Sequence, residues 1–129
     1  MTRKVLTLSD NGSVLDAVKK MEVMNVGAIV IVGEKKKVIG IFSERDLLRR
    51  VCAENKDMAA TGISEVMTKD PQVLTSETPL VEALALTQTN DFRHIPIVDD
   101  ASLVGMVSIK DITNVIKAQL GKVLFDDKA

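Results

Sequence analysis

The sequence has no tryptophan and no tyrosine, and its aromatic residues are Phe42, Phe92 and Phe125 alone. Stacking platforms of the kind that hold single-stranded nucleic acid are therefore missing. Cys52 is the only cysteine, which excludes an internal disulfide and a thiolate metal cage and points to a reducing cytoplasm. His94 is the only histidine; with a single cysteine it builds no metal site, and no nucleophile pattern accompanies it. Neither sign of charge dominates, with 17 Lys+Arg against 18 Asp+Glu and a pI near 5.8, so nucleic acid is not expected as the principal partner. The longest uninterrupted apolar run, Ala28–Val32, is far short of a membrane span, and no apolar h-region follows the first residues.

What is present is apolar content sufficient for a core, 46% of 129 residues, enough for one compact domain or two very small ones. The chain is also made twice. Val14-Leu15-Asp16-Ala17-Val18 lies over Leu80-Val81-Glu82-Ala83-Leu84, and Ile29-Val30-Ile31-Val32 over Ile95-Pro96-Ile97-Val98, both at an offset of 66. One residue is then lost in a turn. At an offset of 65, Val38–Asp46 lies over Leu103–Asp111, with Gly40/Gly105, Ser43/Ser108 and Asp46/Asp111 in register.

Each copy reads β-α-β-β-α. A short extended segment (Val5–Leu8; Val73–Leu74) precedes a helix started by Ser13 or Thr78, with Pro79 suited to the first helical position of the second copy. Val14, Ala17, Val18 and Met21, and Leu80, Ala83 and Leu84, keep the spacing of a buried stripe. Two apolar strands follow, joined by polar turns at Gly33–Lys37 and Asp99–Ser102. A second helix starts at Ser43 or Ser108 and is expected to bury Leu47, Leu48 and Val51, or Ile112, Val115 and Ile116. Residues 54–62 read as a linker, and Ile63–Met67 as a turn of helix re-entering the body. The boundaries expected are 1–62 for the first repeat with its linker and 63–129 for the second with a C-terminal tail. Because one unit buries little surface alone, the two are expected to pack about a pseudo-twofold axis as one α/β (α+β) module with a shared core.

This order of elements resembles a tandem pair of cystathionine β-synthase (CBS) domains, a Bateman module. The resemblance is carried by the Gly-hydrophobic-hydrophobic-Ser-x-x-Asp segment in both copies and by Val66-Met67-Thr68 and Arg93-His94-Ile95-Pro96-Ile97-Val98, and it covers residues 5–120. It implies a regulatory module, not an enzyme, that binds AMP, ADP, ATP, a dinucleotide such as NAD(H) or S-adenosylmethionine between the repeats. It also implies pairing into homodimers, a stand-alone CBS-pair protein, and an unknown protein target. No catalytic cofactor is expected, only an adenine nucleotide as regulatory ligand.

Carried onto this chain, the first ligand site is expected at Thr7, Leu8, Ala28, Ile29, Ser43, Arg45 and Asp46. The second is expected at Val73, Leu74, Arg93, His94, Ile95, Pro96, Ser108, Lys110 and Asp111. In Ser43-x-x-Asp46 and Ser108-x-x-Asp111 the Asp carboxylate suits a ribose cis-diol, and the helix start with its Ser suits a phosphate. The same spacing also makes an ordinary capping box, so a ligand-free dimerisation or scaffold module is the alternative. Pro96 removes a ladder donor where the first copy has Val30. Arg93, His94 and Lys110, against Arg45 alone, predict that the second site is the stronger. Met24, Val26, Leu48 and Val51 are expected to form the dimer face. Cys52 is expected to be a buried small hydrophobe, Lys35-Lys36-Lys37 a solvated tip, and Val123-Leu124-Phe125 an apolar tail.

Overall fold

The computed structural model describes residues 5–90, 94–100 and 102–108, together with Ala118. The first copy begins with β1 (Thr7–Ser9) and α1 (Val14–Met24). Ser13 caps α1 reciprocally: its Oγ accepts from the Asp16 amide at 3.1 Å, and its own amide donates to Asp16 Oδ2 at 3.0 Å. The helix ends at Asn25, whose left-handed φ of 53° closes the last turn. Val14, Ala17 and Met21 are buried, which is the stripe their spacing predicts.

β2 (Ala28–Val32) lies parallel to β1 and antiparallel to β3 (Val38–Ser43), and its central position explains why it is apolar at every residue. β3 runs into α2 (Glu44–Asp46), which continues as a π-helical segment over Leu47–Cys52. After the linker come α3 (Ile63–Val66) and β4 (Thr68–Lys69); β4 pairs with β3 and gives the sheet order β1-β2-β3-β4. The start of the second half thus completes the sheet of the first. α4 (Leu80–Asn90), β5 (His94–Asp99) and β6 (Ser102–Ser108) follow, β5 and β6 forming a two-stranded sheet.

The duplication recurs in the strand register. Ala28↔Ser43, Ile29↔Phe42 and Ile31↔Gly40 in the first copy become His94↔Ser108, Ile95↔Val107 and Ile97↔Gly105 in the second. A bulge follows Ile31 in one hairpin and Ile97 in the other. Leu8↔Ile31 has its counterpart in Leu74↔Ile97. The residue lost between copies is thereby absorbed beyond the bulge, leaving the inner register untouched.

Among the described residues most buried side chains fall into two clusters, while Ala28, Val30, Ile41 and Pro96 are buried outside both. The larger holds Leu8, Val14, Ala17, Met21, Ile29, Ile31, Phe42 and Val51, and α3 adds Ile63 and Val66, with Met67 beside it. The smaller holds Leu74, Ala83, Ile95 and Ile97. Residues 63–72, the connector from the linker into the second copy, pack closely on the sheet, and this requires Gly40: a Cβ there would overlap Met67, with its Cγ at 2.9 Å. Both strands run past Gly40 and Gly105 to end at Ser43 and Ser108.

The linker is more than a tether. The amides of Val14 and Leu15, left without partners by the first turn of α1, donate to the Thr61 and Met58 carbonyls at 2.9 and 3.0 Å. Four local expectations are corrected. Leu48 is 64% exposed and Cys52 is exposed, because the π-helical winding carries these positions off the stripe that α-helical spacing assigns them. Val51 is buried and has no surface to give a dimer face, while Val26 is partly buried against the core. Thr78 does not start α4 directly: its Oγ accepts from the Thr75 amide at 3.1 Å, and the first helical bond runs from the Ala83 amide to the Pro79 carbonyl. The Ile112, Val115 and Ile116 stripe and the 123–125 tail lie outside the described residues.

Candidate functional site

The described residues enclose a cavity of about 640 Å³ where the end of β3 and the start of α2 face the connector and the beginning of β5. Ser43, Glu44, Arg45, Asp46, Leu48, Arg49 and Arg50 line one side, with Gly27 and Ile41; Thr68, Pro71, Gln72 and His94 line the other. The two equivalent strand starts meet here. Gly27 precedes β2, and the position a Cβ would take on it lies 3.7 Å from His94 Nε2 at the start of β5 and 3.6 Å from the Glu44 carboxyl carbon. Glycine at 27 keeps that junction open, and its carbonyl accepts from the Glu44 amide at 3.0 Å.

Asp46 is the centre of the polar network and is only 8% exposed. Its Oδ2 accepts from the Ser43 amide at 3.0 Å and from the Ser43 hydroxyl at 3.2 Å, while its own amide donates to Ser43 Oγ at 3.3 Å. Its Oδ1 accepts from Thr68 Oγ1 at 3.4 Å and faces Arg50 Nε at 3.6 Å. Arg50 also donates to the Met67 carbonyl at 2.9 Å and the Val66 carbonyl at 3.4 Å, which caps the C-terminal end of α3. Two acids, Glu44 and Asp46, thus sit among three arginines, Arg45, Arg49 and Arg50, and His94. That excess of donors and positive charge suits an anionic ligand, and the volume lies in the range of small-molecule sites.

Of the residues assigned to the first site, Ser43, Arg45 and Asp46 line this cavity. Thr7, Leu8, Ala28 and Ile29 are not among its lining. Leu8 and Ile29 belong to the core, Ala28 is buried, and Thr7 pairs with Val30. His94, assigned to the second site, lines the cavity of Ser43 and Asp46 instead, because the pseudo-symmetric strand starts lie side by side. Leu74, Ile95 and Pro96 are buried, Val73 is partly exposed, and Ser108 ends β6 opposite His94. Arg93, Lys110 and Asp111, which carry the prediction of a stronger second site, lie outside the described residues.

Sequence reasoning missed Arg49, Arg50, Thr68 and Gln72 as lining residues. A signal existed for the arginines: they follow Asp46 at i+3 and i+4, the spacing that places helix side chains together. None existed for Gln72, whose place depends on how the connector turns. Among the described residues no group of three His, Cys, Asp or Glu is placed to hold a metal ion, and no helix is long and apolar enough to cross a membrane.

The CBS-domain family model matches residues 1–53 and 63–118. The CBS domain-containing protein CBSX3, mitochondrial, of Arabidopsis thaliana is 36% identical over 115 residues, covering 86% of this chain and 56% of that protein. An uncharacterised 17.7 kDa protein of Acidianus ambivalens is 34% identical over 116 residues, covering 89% of this chain and 69% of that one. The chain therefore spans between half and about two thirds of these relatives. A solved CBS-domain protein from Burkholderia ambifaria superposes with a TM-score of 0.83 at 31% identity, covering 90% of this chain and 85% of that one. A hexameric CBS-CP12 protein from bloom-forming cyanobacteria superposes at 0.85 with 25% identity, covering 99% and 75%. One family model matches each copy of the unit separately, and the structure repeats the strand register between them; the chain belongs to the CBS-domain family, as a tandem pair of its repeats.

Proposed function

We propose that the chain is a regulatory module that takes an adenosyl nucleotide in the cavity between Ser43–Arg50 and Thr68–His94 and acts through a protein partner. The observation that carries this reading is the placement of Asp46. A nearly buried carboxylate stands at the mouth of a helix start, inside a cavity otherwise rich in arginine. In this reading Asp46 accepts from the ribose hydroxyls, Ser43 and the adjoining amides meet the first phosphate, and Arg45, Arg49 and His94 neutralise its charge. AMP, ADP, ATP, NAD(H) and S-adenosylmethionine share the adenosyl part, and the expected order among them follows from how many phosphates the three arginines can serve. In this reading the chemistry is binding and not turnover.

The module works as a homodimer in a reducing aqueous compartment, the cytoplasm, in keeping with its lone exposed Cys52 and with exposed Val23, Met24, Leu48 and Val81. Residues 1–62 and 63–129 act as its two repeats. A second site around Ser108 and Asp111 follows from the duplication.

Calorimetry with AMP tests the reading. AMP is expected to bind about 5- to 150-fold tighter than 2′-deoxy-AMP, because a missing hydroxyl leaves the Asp46 carboxylate short of a donor, at a cost of about 1–3 kcal/mol. Asp46→Asn is expected to weaken AMP by a similar factor. Equal affinity for both nucleotides removes the role given to Asp46. One observation favours the scaffold reading: Ser43, Thr68 and Arg50 already satisfy Asp46 without a ligand. A titration with no heat for any of the five ligands establishes that alternative.

A further inference from the structure

We infer that Arg50 is a positioning residue that ties the Asp46 carboxylate to the connector entering the second repeat, so that a ligand occupying Asp46 loosens that connector. The inference rests on the nucleotide-binding reading for its ligand, while the tie itself stands on geometry.

The two oxygens of Asp46 are held differently. Oδ2 receives two donors from Ser43, one of them at 3.0 Å, and both belong to the same helix start. Oδ1 receives Thr68 Oγ1 at 3.4 Å and Arg50 Nε at 3.6 Å, contacts at the long end of the hydrogen-bond range and beyond it. Oδ1 is therefore the oxygen that a ribose hydroxyl wins, since an O–H donor closes to about 2.7 Å on a carboxylate. Both partners it would displace lead to the same place. Thr68 lies on β4, and the Arg50 guanidinium holds the Met67 and Val66 carbonyls at 2.9 and 3.4 Å.

A planar guanidinium can serve a carboxylate with one nitrogen and two carbonyls with another, whereas an ammonium must gather all its acceptors at a single nitrogen. Arg50 thus holds α3 and β4 against α2 only while it is oriented from both sides. Freed from Asp46, its half-exposed side chain loses one of those orienting contacts and turns toward solvent or a ligand phosphate. Two amides lie on either side of this tie: that of Met67 donates to the Ile63 carbonyl at 3.0 Å at the end of α3, and that of Asp70 to the Ile39 carbonyl on β3 at 3.0 Å. These amides report its opening.

The test is hydrogen exchange at the Met67 and Asp70 amides, read by NMR on the full chain. Without nucleotide, Arg50→Ala is expected to speed exchange at both by tenfold or more, with the β2 amides unchanged. Arg50→Lys is expected to do the same despite keeping the charge, and it stands in if Arg50→Ala does not fold. Unaltered exchange in the Arg50 variants overturns the tie. In the wild-type chain, saturating AMP is expected to speed exchange at the same two amides; unchanged or slower exchange with AMP bound overturns the coupling. If calorimetry shows that AMP does not bind, the functional reading fails, and the nucleotide-free variants still decide the tie.

Discussion

The two repeats share a register but not a ladder. In the first, the Val30 amide donates to the Leu6 carbonyl at 3.0 Å and the Asp10 amide to the Val32 carbonyl at 3.0 Å, so the parallel pairing of β1 with β2 continues at both ends. In the second, Pro96 occupies the place of Val30 and has no N–H to give, and the Ser76 amide, in the place of Asp10, donates to Asp99 Oδ1 at 3.1 Å. What remains is a single bridge, held by Leu74 to Pro96 at 2.9 Å and Val98 to Leu74 at 2.7 Å. One altered donor at each end shortens a three-residue strand to an isolated contact, although the apolar pattern of the two segments is alike. Helix starts differ in the same way. Ser13 and Asp16 cap each other, whereas the second copy has Pro79 and Glu82 there and steadies its entry one turn earlier through Thr75 and Thr78.

The largest difference to measure is in the cores. Phe42 is fully buried in the larger cluster, while its counterpart Val107 is only partly buried against the smaller one. Phe42→Ala is expected to destabilise the chain by about 3–5 kcal/mol, since both transfer energy and a cavity are involved. Val107→Ala deletes less surface from a more accessible place and is expected to cost about 1 kcal/mol or less. Urea unfolding of the two variants checks this. Equal losses show that the repeats share one cooperative core after all.

The duplication, the β-α-β-β-α order of the first copy and the capped helix starts at Ser13 and Ser43 were legible because each rests on local periodicity or on a side chain bonding within three residues. The inner register was legible too, since Ile29-Val30-Ile31-Val32 and Ile95-Pro96-Ile97-Val98 align without a gap. Three things were not. The addition of Thr68–Lys69 to the first sheet depends on Met67 crossing over Gly40, a long-range contact that no periodicity records. The exposure of Leu48 and Cys52 comes from π-helical winding, whereas the stripe was counted on α-helical spacing. The site was half legible: Ser43 and Asp46 stood out by repetition, but their cavity is closed by His94 from the other copy and by Gln72 on the connector.

Exchanging the residues that distinguish the ladders sharpens the comparison. Val30→Pro removes the donor to the Leu6 carbonyl within a central strand, and about 1–3 kcal/mol of stability is expected to go with it. The reverse change, Pro96→Val, supplies an amide at the position equivalent to Val30, for which Gln72, the counterpart of Leu6, is the expected acceptor. A regained hydrogen bond worth about 0.5–1.5 kcal/mol is offset by about 0.4–1 kcal/mol of added freedom in the unfolded chain, so near-neutral stability is expected. The decisive reading is exchange at the amide that Pro96→Val introduces. Protection comparable to that of Val30 shows that one missing donor separates the two ladders; free exchange shows that the connector could not have paired there in any case.

The smallest effect concerns acid. The Ser76 amide, and secondarily its side chain, hold the Asp99 carboxyl below its ordinary value of 3.8, and the Ser13 amide and hydroxyl do the same for Asp16. A carboxyl whose folded pKa is depressed adds stability that is present above the unfolded value and is lost as pH falls through the folded one. Both groups are solvent-exposed, so the contribution is screened and modest. Asp99→Asn and Asp16→Asn are each expected to lower Tm slightly at pH 7, and the gap to wild type is expected to close as the pH falls below 3.8 and through the lowered folded value. Of the two, Asp16→Asn is expected to show the larger gap, because its carboxylate completes a capping box on an eleven-residue helix while Asp99 ties a single turn. A gap that persists unchanged into acid assigns the loss to altered hydrogen-bond geometry in the Asn side chain, and the charge then plays no part in the difference between the repeats.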